Sequence, residues 1–290
     1  MLKRFWKLAW NTIVAFSEDS ALSRGAAIAF FTVTALAPVL LIVIAVAGLV
    51  FGQDAASDAI AAQLTGLMGR PAAEMLQATI ASAADKSSGI LASVIGILTL
   101  IFTASGVFGE MQRSLNDIWK TKPTGTTVSR LIKARAASLG LVVALGFVLT
   151  VSLVVSAALT ALSDTINAYI PFGEQVLALV SAAISITLIA ALFAAIYKVL
   201  PDKRLAWRDV IVGALTTSVL FNVGKSLIGW YIGSSAVASS YGAAGALIVV
   251  LLWIYYSSLI FLLGAEFTKV YAATYGSRTD DALLTTKAGA

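Results

Sequence analysis

IAFFTVTALAPVLLIVIAVAGLVF, residues 28–51, carries no charged side chain, and its length decides what kind of protein this is. A helix needs roughly 20 apolar residues to cross the hydrocarbon of a bilayer, and a signal-peptide core is shorter. No small-residue cleavage pattern follows the run, so it is expected to stay in the membrane as a spanning helix. Pro38 lacks an amide hydrogen and is expected to kink it.

Reading outward, five further runs are long enough to span, at about 88–108, 138–162, 176–197, 210–232 and 243–268, against the ~20 residues a crossing requires. Composition agrees. The chain has 290 residues, 59% hydrophobic and 12% charged, about half the charge of a soluble domain. In hydrocarbon every backbone amide must be paired within the segment, and unbroken apolar runs of this length favour helices over the alternating strands of a barrel. The expected fold is all-α, a polytopic bundle of six transmembrane helices. Residues 1–27 form an interfacial segment, 28–268 the membrane domain and 269–290 a tail.

The basic residues orient the bundle. Segments 1–27, 109–137, 198–209 and 269–290 hold 17 of the 20 Lys and Arg, while Arg70 and Lys86 are the two in the expected outer loops. Positive side chains stay on the cytoplasmic side, so both termini are expected there, in an inner or plasma membrane. Lys3, Arg4, Lys7, Trp6 and Trp10 make the N-terminal segment an amphipathic lead-in at the interface. Residues 109–137, broken at Pro123–Gly125, read as a basic connection along anionic headgroups or as a topology determinant alone. Between the first two spans, Ile60, Leu64, Leu67 and Met68 share one helical face. Pro71 can open a second helix with Met75, Leu76 and Ile80, giving an outer helical hairpin that either caps the bundle or gates it.

The chain contains neither Cys nor His. That removes thiolate and imidazole metal ligands, their nucleophiles and the commonest neutral-pH general base, so no metal or cofactor is expected. No P-loop, serine elbow or acidic pair with metal spacing appears, which leaves a hydrolase unsupported.

Candidate functional residues are ionisable or small groups at membrane depth, where charge is costly. Ser218, Asn222, Lys225 and Gly229 are spaced to form one polar, small-residue stripe, which can line an aqueous path. Lys225 is about 10 Å from the outer end and can also snorkel to it. Glu266 lies near the inner end of the last span with Lys269 one turn on, spaced for an ion pair. Residues 233–245 are small and polar, with Tyr241 the one large polar side chain, and read as a re-entrant segment or a tight outer loop. Arg24 can hold a phosphate, a headgroup or a neighbouring helix end.

Four stretches then carry a family resemblance: RGAAIAFFTVTALAP (24–38); YKVLPD (197–202) with WRD (207–209); FNVGK (221–225); and SSYGAAG (239–245) through GAEFT (264–268). In order and spacing the chain resembles the YihY/BrkB membrane proteins, also labelled ribonuclease BN-like, across nearly its whole length. The resemblance implies a six-helix bacterial inner-membrane protein described as a transporter or envelope factor, without a settled reaction. It marks Arg24, Pro38, Lys225, Tyr241 and Glu266 as positions to test. Nothing here supports the ribonuclease label or a nucleic-acid partner. The expected function is a transporter or lipid-handling protein moving an amphiphilic or anionic substrate through an interhelical cavity. The alternative is a non-transporting scaffold for envelope assembly. Membrane lipids, a lipid or small-anion substrate and a second copy of the chain are the expected partners.

Overall fold

A computed structural model describes residues 2–68, 73–78, 106–121, 140, 151, 154–155, 173–234 and 243–278. Among these residues every regular element is a helix. They are α1 (Leu2–Glu18), α2 (Ala21–Phe51), α3 (Gln53–Met68), α4 (106–118), α5 (Gly173–Val199), α6 (Trp207–Ser234) and α7 (Ala243–Thr274), with a short helical stretch at 73–78. The second and third expected spans fall outside the described residues except for 106–108 and a few isolated positions. Tyr241, Arg70, Lys86, Ile80, Pro71, the Pro123–Gly125 break and the tail from 279 also lie outside them.

Three helical segments are long and apolar enough to cross a membrane: Gln175–Val199, Trp207–Tyr231 and Gly245–Thr274. They correspond to the expected fourth, fifth and sixth spans. α2 contains the first expected span and continues as helix through Pro38, and Ala21–Leu36 is its described apolar portion. α2 begins seven residues before the apolar run at Ile28, because Ser20 takes a left-handed conformation, φ 55° and ψ 39°, that turns the chain out of α1 at Asp19. Arg24 therefore stands in the first turns of the helix. α7 runs six residues beyond the expected end at Thr268. Its polar residues there find partners within the fold: Thr268 Oγ1 donates to the Gly264 carbonyl at 2.6 Å and Lys269 bridges two carboxylates.

Pairings between helices give their directions. α6 runs against α7, since Gly213 faces Thr268, Gly264 faces Thr217 and Gly224 faces Tyr256 and Ile260. α5 runs against α6, since Tyr197 meets Thr217 and Phe193 meets Phe221. α2 runs against α7, since Asp19 binds Lys269 and Gly25 faces Leu259 and Tyr255. α7 is the hub, packed by α1, α2 and α6, and half of its apolar window is buried, against 28% for α6 and 11% for α5.

The seam among α5, α6 and α7 shows why these sequences pack. Gly213 and Gly264 face the Thr268 and Thr217 hydroxyls, where any added methyl would collide. Close approach replaces the hydrophobic drive that lipid does not supply between helices. Tyr197, 1% exposed, fills the seam and donates to the Phe261 carbonyl at 2.7 Å, with the Thr217 hydroxyl at 3.1 Å. Its ring stacks on Phe193 and Phe261. Thr187, Ser257 and Ser258 each bond the carbonyl four residues earlier, which satisfies their hydroxyls without water.

α1 presents three faces. Leu8 and Thr12 are buried, Trp6, Trp10 and Ile13 are exposed, and Arg4 and Lys7 flank the exposed apolar strip. A helix packed on one side and apolar with basic flanks on another fits an interface between water and lipid. In the region expected to form an outer hairpin, α3 packs along α2, and Leu76 of the short stretch joins a cluster with Ala29, Val249, Val250 and Trp253.

Candidate functional site

At one end of the bundle the α1–α2 elbow, the end of α4, the α5–α6 connection and the end of α7 converge through polar contacts. α4 terminates there with Lys120 in a left-handed conformation, φ 49°. The Thr121 amide reaches back to the Asn116 carbonyl at 2.8 Å, a helix ending usually built on glycine. A lysine at that position costs conformational energy, but it sends its ammonium to Asp19, with which it pairs. Asn116 clamps Asp202 twice, donating to its carboxylate at 2.8 Å and accepting from its amide at 2.9 Å. Trp119 receives Lys203 and Arg278 near its ring.

Within this end lies a chain of charges. Lys269 Nζ sits between Asp19 Oδ2 at 2.9 Å and Glu266 Oε2 at 3.1 Å. Arg24 pairs with Asp117 at 2.6 Å and donates through Nε to the Asp19 carbonyl at 2.8 Å. Burial works to raise the Asp19 carboxyl, yet hydrogen bonds from Lys120 and Lys269 outweigh it and hold Asp19 down at about 2. Glu266 is fully buried, and its Oε1 and Ser114 Oγ are the buried side-chain polar atoms without a hydrogen-bond partner among the described residues. Beyond the cluster, Asp209 in the first turn of α6 accepts from the Ser277 hydroxyl at 2.6 Å, fastening the end of α7 to the start of α6.

The stripe on α6 lies away from this cluster. Ser218 is buried and bonds the Leu215 carbonyl, and Asn222 donates to the Ser218 carbonyl at 3.0 Å. Lys225 is half-buried and Gly229 exposed, so the stripe passes from the interior to the bundle surface along its length. Lys225 has no hydrogen-bond or ion-pair partner among the described residues. The structure thus joins Arg24 and Glu266 in one network through Asp19, and leaves Ser218, Asn222 and Lys225 as a separate group.

Sequence reasoning paired Glu266 with Lys269 and missed Asp19, Asn116, Asp117, Lys120, Asp202 and Asp209. Their partners are distant along the chain, 250 residues apart for Asp19 and Lys269. A signal was available: acidic residues embedded in segments that are otherwise basic need internal partners.

Apolar helices of membrane-crossing length, polar groups paired inside the bundle and basic residues gathered at one end define an all-helical membrane protein. The chain belongs to the BrkB virulence-factor family, whose model matches residues 12–287. It is 25% identical over 268 residues to a UPF0761 membrane protein of Alkalilimnicola ehrlichii, covering 89% of this chain and 56% of that protein. Over 179 residues it is 33% identical to a UPF0761 membrane protein of Alteromonas mediterranea, covering 61% and 58%. A Pseudomonas aeruginosa relative of the same description is 26% identical over 253 residues, covering 86% and 59%. The chain therefore spans somewhat more than half the length of these relatives. No solved structure matches it significantly.

Proposed function

We propose that the protein is an inner-membrane transporter or lipid-handling protein that moves an amphiphilic or anionic substrate between its helices, with its basic end in the cytoplasm. The observation that carries this reading is Lys225. Its Cα lies about 27 Å along α6 from Trp207 and about 14 Å from Ser234, at 1.5 Å rise per residue. A half-buried cation without an acidic partner among the described residues is costly at that depth and selects for a mobile anion. Ser218 and Asn222 continue the polar line toward the interior.

Helix directions support a multi-pass arrangement. α2 leaves the basic end, α5 returns to it, α6 leaves and α7 returns, while α4 ends there against Asp202. These are the directions that a bundle of six spans with both termini on one side requires of its first, fourth, fifth and sixth helices.

Reconstituted protein in liposomes, assayed with fluorescent lipids and small anions, tests the reading. Lys225→Ala, folded by its thermal melt, is expected to lose flux at least tenfold, and Lys225→Arg to retain most of it. Equal flux in wild type and Lys225→Ala would remove the lysine from the pathway. Absence of flux for every probe in the wild type would favour the scaffold.

A further inference from the structure

Glu266 is a fully buried ionisable group that transport through the Lys225 stripe does not use. It lies on α7, faces Asp19 of the α1–α2 elbow and shares Lys269 with it, while Lys120 of α4 takes the other Asp19 oxygen. Arg24 and Asp117 form the next pair outward. Lys269 supplies one hydrogen to Glu266 Oε2, and no described residue donates to Oε1, although the side chain is fully buried. A buried carboxylate oxygen left without a donor forfeits its hydration with nothing in return. Asp19 and Glu266 meet at one ammonium, with Lys269 Nζ 2.9 Å from Asp19 Oδ2 and 3.1 Å from Glu266 Oε2, and two ionised carboxylates have no hydrogen of their own to share. Lys120 and Lys269 keep Asp19 ionised, so a single proton placed between the two acids belongs on Glu266, with Asp19 as its acceptor.

We propose that Glu266 is a proton-binding site, and that the proton it takes up fastens the α1–α2 elbow to α7. With the proton on, Glu266 donates to Asp19 and Lys269 is released to serve Asp19 alone. With the proton off, Glu266 must draw on the Lys269 ammonium that also holds Asp19, and the elbow loosens. The site is separate from the Lys225 stripe and does not depend on what the protein moves.

Infrared spectra of the protein in lipid nanodiscs, titrated from about pH 4 to pH 9 to span free and buried carboxyls, read the site directly. The wild type is expected to show a carboxylic acid C=O band that disappears reversibly on deprotonation and shifts with ¹³C-glutamate labelling. Glu266→Gln should abolish it and Glu110→Gln should leave it. A spin label on Leu22→Cys, an exposed position at the start of α2, should change mobility over the same pH range and stay constant in the Glu266→Gln background. Should Glu266→Gln not assemble, replacing Glu18, Glu74, Glu110 and Glu174 with Gln leaves Glu266 as the sole labelled glutamate. No glutamate band in either protein, or a band that survives Glu266→Gln, would overturn the proposal.

Discussion

Asp19 shows how one side chain decides the behaviour of a whole end of the molecule. Its carboxyl is nearly buried, a placement that by itself would favour the neutral acid, and two lysines reverse that preference. Because its folded value, about 2, lies below the ordinary 3.8, the ionised group stabilises the fold above about pH 4. That contribution, roughly 2 kcal/mol by linkage, is lost as pH falls toward 2. Asp19→Asn is therefore expected to melt well below wild type at pH 6, with the gap closing as the pH is lowered through 4 toward 2, measured by thermal unfolding in detergent. Lys120 separates backbone from charge. Lys120→Gly relieves the left-handed strain and keeps the α4 ending, so any loss of stability reports the Asp19 pair, and it should be smaller than that of Asp19→Asn, since Lys269 still holds the carboxylate.

Between helices, the decisive quantity is the distance at which backbones can pass. Gly213 and Gly264 face threonine hydroxyls across the α6–α7 seam, and Gly264 also meets the Tyr197 hydroxyl. Gly264→Ala forces these groups apart and is expected to cost about 1–3 kcal/mol, the usual range for overpacking. Gly229→Ala, where an added methyl meets none of the described residues, is the matched control and should be neutral or stabilising by up to about 1 kcal/mol. Thermal unfolding with tryptophan fluorescence compares the two. Elements of this kind were legible in the sequence because span length and apolarity are local properties: the runs at 176–197, 210–232 and 243–268 fall within α5, α6 and α7. The start of α2 was not, because it depends on the backbone at Ser20, and an apolar count sees only where charge stops. The polar, small-residue stripe of Ser218, Asn222, Lys225 and Gly229 was half legible. Periodicity aligned the four residues, while burial depends on neighbouring helices and grades from Ser218 to Gly229.

At the scale of the molecule, charge asymmetry along the chain corresponds to a physical end of the bundle. Lys120, Lys198, Lys203, Lys269, Arg24 and Arg278 come from four basic segments, and their contacts with Asp19, Leu205, Trp119, Glu266 and Asp117 collect them in one place. Counting lysines and arginines could anticipate that gathering but not most of its internal wiring, since Asp117 lies 93 residues from Arg24, and Asp19 lies 101 from Lys120 and 250 from Lys269. The acids in the same segments turn a merely basic surface into an interlocked one. Membership in the BrkB family extends across residues 12–287, so this interlock and the Lys225 stripe both lie inside the shared region. The absence of native cysteine makes the arrangement directly testable with single introduced thiols. Arg113, Arg204 and Asp58 are exposed positions on α4, the α5–α6 connection and α3. With a membrane-impermeant thiol reagent on intact cells, Asp58→Cys is expected to label at once, and Arg113→Cys and Arg204→Cys only after the membrane is opened. Labelling of Arg113→Cys and Arg204→Cys from opposite sides would contradict the account.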